Sequence, residues 1–274
     1  MALFILLRKY SNNGIYGIRI VYKSVLASMV TILLYSSYLV INILLFGKKN
    51  GLKQRWRACI VRCWGKSMLC ILHAKIMLTG YPPQKQPVVL VSNHLGYIDI
   101  LLYCALLHPV FVAKSDVASW PVIGQLCRSF SVLFINRHSV RQSYQLQKKL
   151  YQKYQEGYPI VFFPEGTSTN GDTVKPFKTL LFKWLAEQQI PVHYALLHYQ
   201  APTGYDAGED ICWWRSESKL IPHLLRLLSM PQFCIKIHFS SKPLLHQNHR
   251  ILAQKTHQAI TNLQVAGLQQ KQPS

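Results

Sequence analysis

The sequence predicts an α/β fold: a largely parallel or mixed sheet covered by helices, with an N-terminal membrane-anchoring helical segment. Three observations predict it. Beyond residue 80, short and almost wholly apolar runs rich in β-type side chains alternate with helical stretches, as in a sheet covered on both faces. Val25–Gly47 carries no charge and is rich in Leu, Ile, Val, Tyr and Met. A helix of about 20 such residues crosses a hydrocarbon core of about 30 Å. Finally, the chain has no acidic residue before Asp99, so this apolar run lies in a purely basic setting.

Each element follows in order. Val25–Gly47 is too long for a secretory signal and lacks a small-residue cleavage site, so it is expected to be a retained anchor that spans the membrane or lies in one leaflet. Leu52–Met77 interleaves Lys53, Arg57 and Lys66 with Trp56, Ile60, Val61, Trp64, Met68, Leu69 and Leu72. That pattern predicts a helix on an anionic lipid surface, with a core-packing helix as the alternative. Lys48, Lys49, Lys53, Arg55, Arg57, Arg62 and Lys66 follow the run, against Arg8, Lys9, Arg19 and Lys23 before it, which places the remainder in the cytoplasm. Tyr81-Pro82-Pro83 marks a boundary. Strands are expected at Val88–Ser92, Val110–Ala113, Ser131–Ile135, Ile160–Phe163, Val192–His198 and Phe233–Phe239. Helices are expected at Ile100–Leu107, Arg141–Gln155, Pro176–Gln188 and Ile221–Leu228. The resulting organisation is 1–80 anchor and interfacial helices, 81–245 α/β domain, and 246–274 C-terminal helix and tail.

Composition narrows the function. Lys and Arg total 31 against 10 Asp and Glu, a net charge of +21, while 50% of residues are hydrophobic and 15% charged. Such a chain is not disordered, and its partners are anionic: nucleic acid, a membrane surface, or an acidic substrate or carrier. The 7 cysteines include no C-x-x-C pair and are expected to be buried free thiols. There is no G-x-G-x-x-G, no G-x-S-x-G and no H-E-x-x-H. Gly65-Lys66-Ser67 resembles the end of a P-loop, but Ile60 stands where its first glycine is required. No metal site is expected.

Two polar islands follow apolar strands. The first is Ser92-Asn93-His94-Leu95-Gly96-Tyr97-Ile98-Asp99. A loop and one helical turn can bring His94 to Asp99, whose carboxylate would fix the imidazole tautomer and stabilise the imidazolium formed on proton uptake. This is a Ser-His-Asp arrangement without its serine, so a substrate hydroxyl would be the nucleophile. A histidine merely packing at a loop gives the same local pattern. The second island, Phe162 to Gly171, contains Pro164-Glu165-Gly166-Thr167-Ser168-Thr169, a turn able to hold an anion or polyol, or simply to cap a helix. Between them, Arg137 in Phe134-Ile135-Asn136-Arg137 could clamp a phosphate or carboxylate, or be a surface charge.

Asn93-His94-x4-Asp99, Phe134-Ile135-Asn136-Arg137, Phe163-Pro164-Glu165-Gly166-Thr167 and Ile190-Pro191-Val192 together resemble the four-block signature of the glycerolipid acyltransferases. The bacterial 1-acyl-glycerol-3-phosphate acyltransferases are the most similar group. The resemblance runs from about Val88 to Pro243, with further matches at Lys114 and at Pro176-Phe177-Lys178. It implies acyl transfer at the bacterial inner membrane, with His94 as general base and Asp99 as its orienting partner. The donor would be acyl-CoA or acyl-carrier protein and the acceptor a lysophospholipid, with no cofactor, no metal and no nucleic acid. Glu165, Gly166 and Thr167 would bind the acceptor, and amides near Gly166 would meet the oxyanion. Arg137 would grip the phosphate, with Lys114 and Lys178 as further candidates.

One departure bears on the acceptor. The family usually continues Glu-Gly-Thr with Arg-Ser, where this chain has Ser168-Thr169. Such variants, with a segment like Cys212-Trp213-Trp214, also occur in relatives that acylate lyso-ornithine lipid or other lysolipids. Lysophosphatidate is the first expectation and another lysolipid the second. A transacylase drawing on phospholipid, and a non-catalytic basic membrane- or nucleic-acid-binding protein, are the rival readings.

Overall fold

The computed structural model describes residues 14–46, 50–83, 87–120, 123–130, 132–135, 140–213 and 219–269. Helix α1, Gly14–Leu44, begins well ahead of the uncharged run. The reason lies in its two basic residues: Lys23 is fully buried and donates to the Met230 carbonyl at 2.7 Å, and Arg19 points to the Ser229 carbonyl at 3.5 Å. The first turns therefore dock on protein. Farther along, Trp64 donates to Thr31 at 3.0 Å and Gln125 to Tyr35 at 3.3 Å, while Val25, Met29, Ile32, Leu33, Val40 and Ile43 face outward. By length and composition Ile15–Leu44 is a candidate membrane span.

Helix α2, Asn50–Ile71, packs along helix α3, Tyr97–Leu107. Ile60, Val61, Met68, Leu69 and Leu72 are buried, so this helix contributes to the core. The helix expected to reach Met77 ends earlier: His73 turns left-handed at φ 56°, and strand β1, Ala74–Thr79, follows. Ile76, Met77 and Leu78 extend the apolar pattern of α2, yet they lie exposed on an edge strand that pairs only with the last strand of the sheet. The cysteines also depart from expectation, since Cys59, Cys63 and Cys70 are exposed and only Cys104 and Cys212 are buried.

The other strands are β2 Val89–Ser92, β3 Val110–Lys114, β4 Leu133–Ile135, β5 Ile160–Phe162, β6 Val192–Gln200 and β7 Phe233–Phe239. They form one sheet in the order β1-β7-β6-β2-β5-β3-β4, parallel throughout except for the β6–β7 pair. β6 outruns its expected end because antiparallel pairing continues to Gln200↔Cys234. The remaining helices are α4 Ile123–Ser129, α5 Val140–Gln155, α6 Lys183–Glu187, α7 Ala207–Asp210, α8 Leu220–Ser229 and α9 His249–Gln269. The helix expected over Pro176–Gln188 shrinks to a 3₁₀ turn, Leu180–Phe182, and α6. Residues just before it are drawn into the second island, where the Lys178 N–H bonds the Pro164 carbonyl at 2.9 Å.

Strand alternation divides the core into two layers. Leu90, Val161 and Leu197 face the side packed by Val61 and Leu69 of α2, Leu102 of α3 and Leu227 of α8. Val89, Val91, Ile160 and Phe162 face Leu146 and Leu150 of α5, Trp184 and Leu185 of α6, and Leu252 and Ile260 of α9. This two-sided cover is why the central strands read as unbroken apolar runs.

Candidate active site

β2 and β5 are parallel neighbours, in register at Val91↔Phe162. Their C-terminal ends therefore release both polar islands on the same side of the sheet, where open α/β sheets form ligand crevices. Asn93 holds the strand end: its amide donates to the Leu197 carbonyl at 2.9 Å and accepts the Leu197 N–H at 2.7 Å. That buried side chain continues the β2–β6 ladder by one residue and turns His94 out of the sheet.

Asp99 lies in the first turn of α3 and is fully buried. Its Oδ2 takes the His94 Nδ1–H at 2.6 Å, the Leu95 N–H at 2.7 Å and the Gly96 N–H at 3.1 Å, and its Oδ1 takes the Tyr199 hydroxyl. Four donors compensate the desolvation of a buried carboxylate. Burial, reinforced by the Asp99 charge, pushes the Tyr199 phenol well above its ordinary value, which keeps it a donor. With Nδ1–H committed to Asp99, Nε2 of His94 is the acceptor, and the side chain retains 23% exposure. The ring lies on Phe163 at 4.2 Å between centroids and 15° between planes. Nothing but glycine fits at position 96, where a Cβ would stand 2.9 Å from the Trp213 nitrogen.

The second island braces the first. Glu165 is buried; its Oε1 accepts the His94 N–H at 2.7 Å and its Oε2 the Lys175 N–H at 2.9 Å. Thr169 N–H returns to the His94 carbonyl at 2.8 Å. Both backbone groups of His94 are thus held by one loop, and burial pushes the Glu165 carboxyl up to about 7. The Gly166 N–H bonds the Phe163 carbonyl at 3.1 Å, within the turn that Gly166 makes at φ 74°. Gly171–Val174, closing the loop, is clamped by α9 through Gln264 and His257.

Among the residues singled out from sequence, His94, Asp99, Glu165, Gly166 and Thr167 come together at these two strand ends. Lys178 is joined to them through its backbone bond to Pro164, and Lys114 ends β3 in the open. Arg137 lies outside the described residues. Sequence reasoning missed Tyr199, and gave Phe163 and Thr169 no role of their own within the second island. Tyr199 sits 100 residues from the carboxylate it contacts, so no local spacing reveals it. The Cys212-Trp213 segment has a structural part: Trp213 N–H bonds the Leu95 carbonyl at 2.9 Å and Ser168 donates to the Trp213 carbonyl. His223 of α8 ties the same region together, with Nδ1 on the Tyr97 hydroxyl at 2.9 Å and Nε2 on the Cys212 carbonyl at 3.0 Å. Beside Leu95 and Tyr199 opens a cavity of about 370 Å³ lined also by Asp172, Asp206, Glu209 and His198. No metal-binding cluster of His, Cys, Asp or Glu occurs among the described residues.

The chain is similar to known proteins in sequence and in fold. A family model described as Acyltransferase matches residues 75–194. The lyso-ornithine lipid O-acyltransferase of Rhodobacter capsulatus is 34% identical over 185 residues, 66% of either chain. That of Rhizobium meliloti is 29% identical over 64% of this chain, which spans 62% of the relative's length, so both are covered to just under two thirds. The 1-acyl-sn-glycerol-3-phosphate acyltransferase of Neisseria gonorrhoeae is 30% identical over 197 residues, 68% of this chain and 72% of the relative. The crystal structure of the 1-acyl-sn-glycerophosphate acyltransferase of Thermotoga maritima has the same fold, with a TM-score of 0.69 over 94% of this chain and 97% of that one at 16% identity.

Proposed function

The chain belongs to the acyltransferase family, and on that premise we propose that it transfers a fatty acyl group from a thioester to the free hydroxyl of a lysolipid at a membrane. The single observation that carries this is the His94–Asp99 bond at 2.6 Å, with Nε2 left to accept. Nε2 takes the hydroxyl proton as the oxygen attacks the thioester carbonyl. A C–O bond forms, the tetrahedral intermediate collapses with loss of the C–S bond, and His94 returns the proton to the departing thiolate. Asp99 holds the tautomer and stabilises the imidazolium between these steps. No acyl-enzyme forms. Glu165 and Thr169 keep the His94 backbone in place, and Arg137, Lys114 and Lys178 are the cations proposed for the acceptor's or donor's phosphate. The apolar face of α1 holds the site near its lipid substrates, with the catalytic domain on the cytoplasmic side of a bacterial inner membrane.

The first acceptor is 1-acyl-glycerol-3-phosphate, with sn-2 acylation giving phosphatidic acid. A specific observation favours a second, lyso-ornithine lipid. Ser168, which takes the place of the arginine usual in the glycerophosphate group, is tied to Trp213, and the neighbouring cavity carries Asp172, Asp206 and Glu209. Those carboxylates suit an acceptor bearing an ammonium better than one bearing only phosphate. The test is an assay of the purified chain in detergent with a palmitoyl thioester, offering both lysolipids in parallel. His94→Ala is expected to lower turnover by about 10²–10⁴-fold. Full activity in that variant refutes the general-base reading. If the second acceptor is the natural one, Ser168→Arg shifts preference toward lysophosphatidate.

A further inference from the structure

A second cavity, of about 440 Å³, lies at the other end of the sheet from His94. It is walled by Tyr38 and Asn42 of α1, Lys53, Gln54 and Arg57 of α2, and Lys153, Glu156 and Tyr158 at and beyond the end of α5. Tyr158 leads into the first residue of β5, whereas Glu165 follows its last, so this cavity is no part of the acyl-transfer site.

Its electrostatics are unbalanced. Three cations line it against one carboxylate, and that carboxylate is already paired, Lys153 to Glu156 at 2.6 Å. Arg57 is the least compensated. It is only 7% exposed; Nη1 donates to the Phe130 carbonyl at 3.0 Å, while Nε and Nη2 are buried without a hydrogen-bond partner. Its guanidinium lies 4.5 Å from the Tyr158 ring centroid, and the Lys153 ammonium 5.0 Å from the same ring. A buried guanidinium with unused donors is costly unless something else satisfies it, and the forked geometry suits a phosphate.

The position says which phosphate. The cavity opens where the apolar face of α1 ends, beside exposed Ile43, Leu44 and Phe46. Residues of that kind sit at the acyl–headgroup boundary, with basic residues just beyond meeting anionic lipid. We propose that Arg57, Lys53 and Lys153 form a headgroup site for the phosphate of an anionic phospholipid that is not the substrate, and that this lipid seats α1 and α2 against the catalytic domain. The proposal rests on the cavity and its charges and stands whether or not His94 carries out acyl transfer.

The test uses the full chain in neutral detergent and follows its thermal unfolding against three probes: short-chain phosphatidylglycerol, short-chain phosphatidylcholine and inorganic phosphate. A ligand that binds only the folded state stabilises it by RT ln(1 + [L]/Kd), so Tm rises with ligand concentration and affinity. Phosphatidylglycerol is expected to raise Tm, with phosphatidylcholine and inorganic phosphate giving little. The Lys53→Gln/Lys153→Gln double variant, which leaves the buried Arg57 untouched and so folds, should need roughly tenfold more phosphatidylglycerol for the same rise. Arg57→Lys, which keeps the charge and loses the fork, should weaken it similarly. Turnover of a soluble lysolipid by the double variant should stay at the parent's level, separating this site from the catalytic one. An undiminished rise in the double variant overturns the assignment. Equal rises with inorganic phosphate, or with phosphatidylcholine, overturn the anionic-lipid assignment.

Discussion

His94 depends on partners it could not have announced. Tyr199 reaches Asp99 from β6, and its hydroxyl is the only donor to Oδ1 among the described residues. Removing it in Tyr199→Phe leaves that buried oxygen unsatisfied and concentrates negative charge beside the imidazole. That loss should lower kcat/KM by about tenfold. Tyr103→Phe, an equally buried change at a hydroxyl with no hydrogen bond to Asp99, should leave kcat/KM near the parent's; a shared loss would mean packing and not the hydrogen bond. Glu165 gives a second residue-level prediction, with a definite sign. Its folded value of about 7, set mainly by burial, lies above the ordinary 4.5. The folded state therefore binds the proton more tightly, and this carboxyl's stability contribution is complete below pH 4.5 and lost as pH rises to about 7. Glu165→Gln cannot ionise, but it gives up one of the two N–H acceptor contacts. Its Tm relative to the parent should rise across that pH window from a lowered starting point; a flat difference would show that burial does not control this group.

At the scale of elements, α2 crosses α3, the helix that carries Asp99, at short range. Gly65 makes it possible, since a Cβ there would meet the Ala105 nitrogen at 2.6 Å and the Leu101 oxygen at 2.7 Å. Both are backbone atoms, so no side-chain rotation relieves the clash. Gly65→Ala should destabilise the protein by about 1–3 kcal/mol, measured by denaturant midpoint, whereas Gly51→Ala on the same helix meets nothing and should not. The Gly-Lys-Ser triplet that looks like a phosphate loop in the sequence thus serves helix packing. The same crossing explains why α2 could not be read as purely interfacial: its basic residues alternate with side chains that α3 buries. β1 was illegible for a related reason, being an edge strand whose Ile76, Met77 and Leu78 continue the apolar spacing of the helix before it.

Over the whole molecule, a charge of +21 suits anionic partners, and the exposed apolar face of α1 is long enough for a membrane span. If the donor is an acyl thioester of an anionic carrier, its KM should rise several-fold as ionic strength goes from about 0.02 to 0.5 M, while kcat changes little. A KM that ignores salt would show that the acyl chain alone governs donor binding. Docking of Arg19 and Lys23 on the Ser229 and Met230 carbonyls also fixes how α1 meets the rest of the fold. The basic residues that precede the apolar run are therefore partly structural and do not all report on membrane orientation.

What the sequence by itself determined is whatever depends on local spacing. The apolar strands, the ordered motif blocks, the His94–Asp99 pair and the long uncharged helical run are all legible because one strand, one helical turn or one uninterrupted run contains each of them. Only the tertiary structure decided that Glu165 and Thr169 hold the His94 backbone, that Tyr199 completes the Asp99 shell and that Arg57 is buried with unused donors. These are contacts between segments far apart in the chain, made where the parallel β2 and β5 release their loops together or where α1, α2 and α5 converge. Residue type and periodicity specify which side chains can bond, but the partner is chosen by the packing of the sheet and its two helical layers.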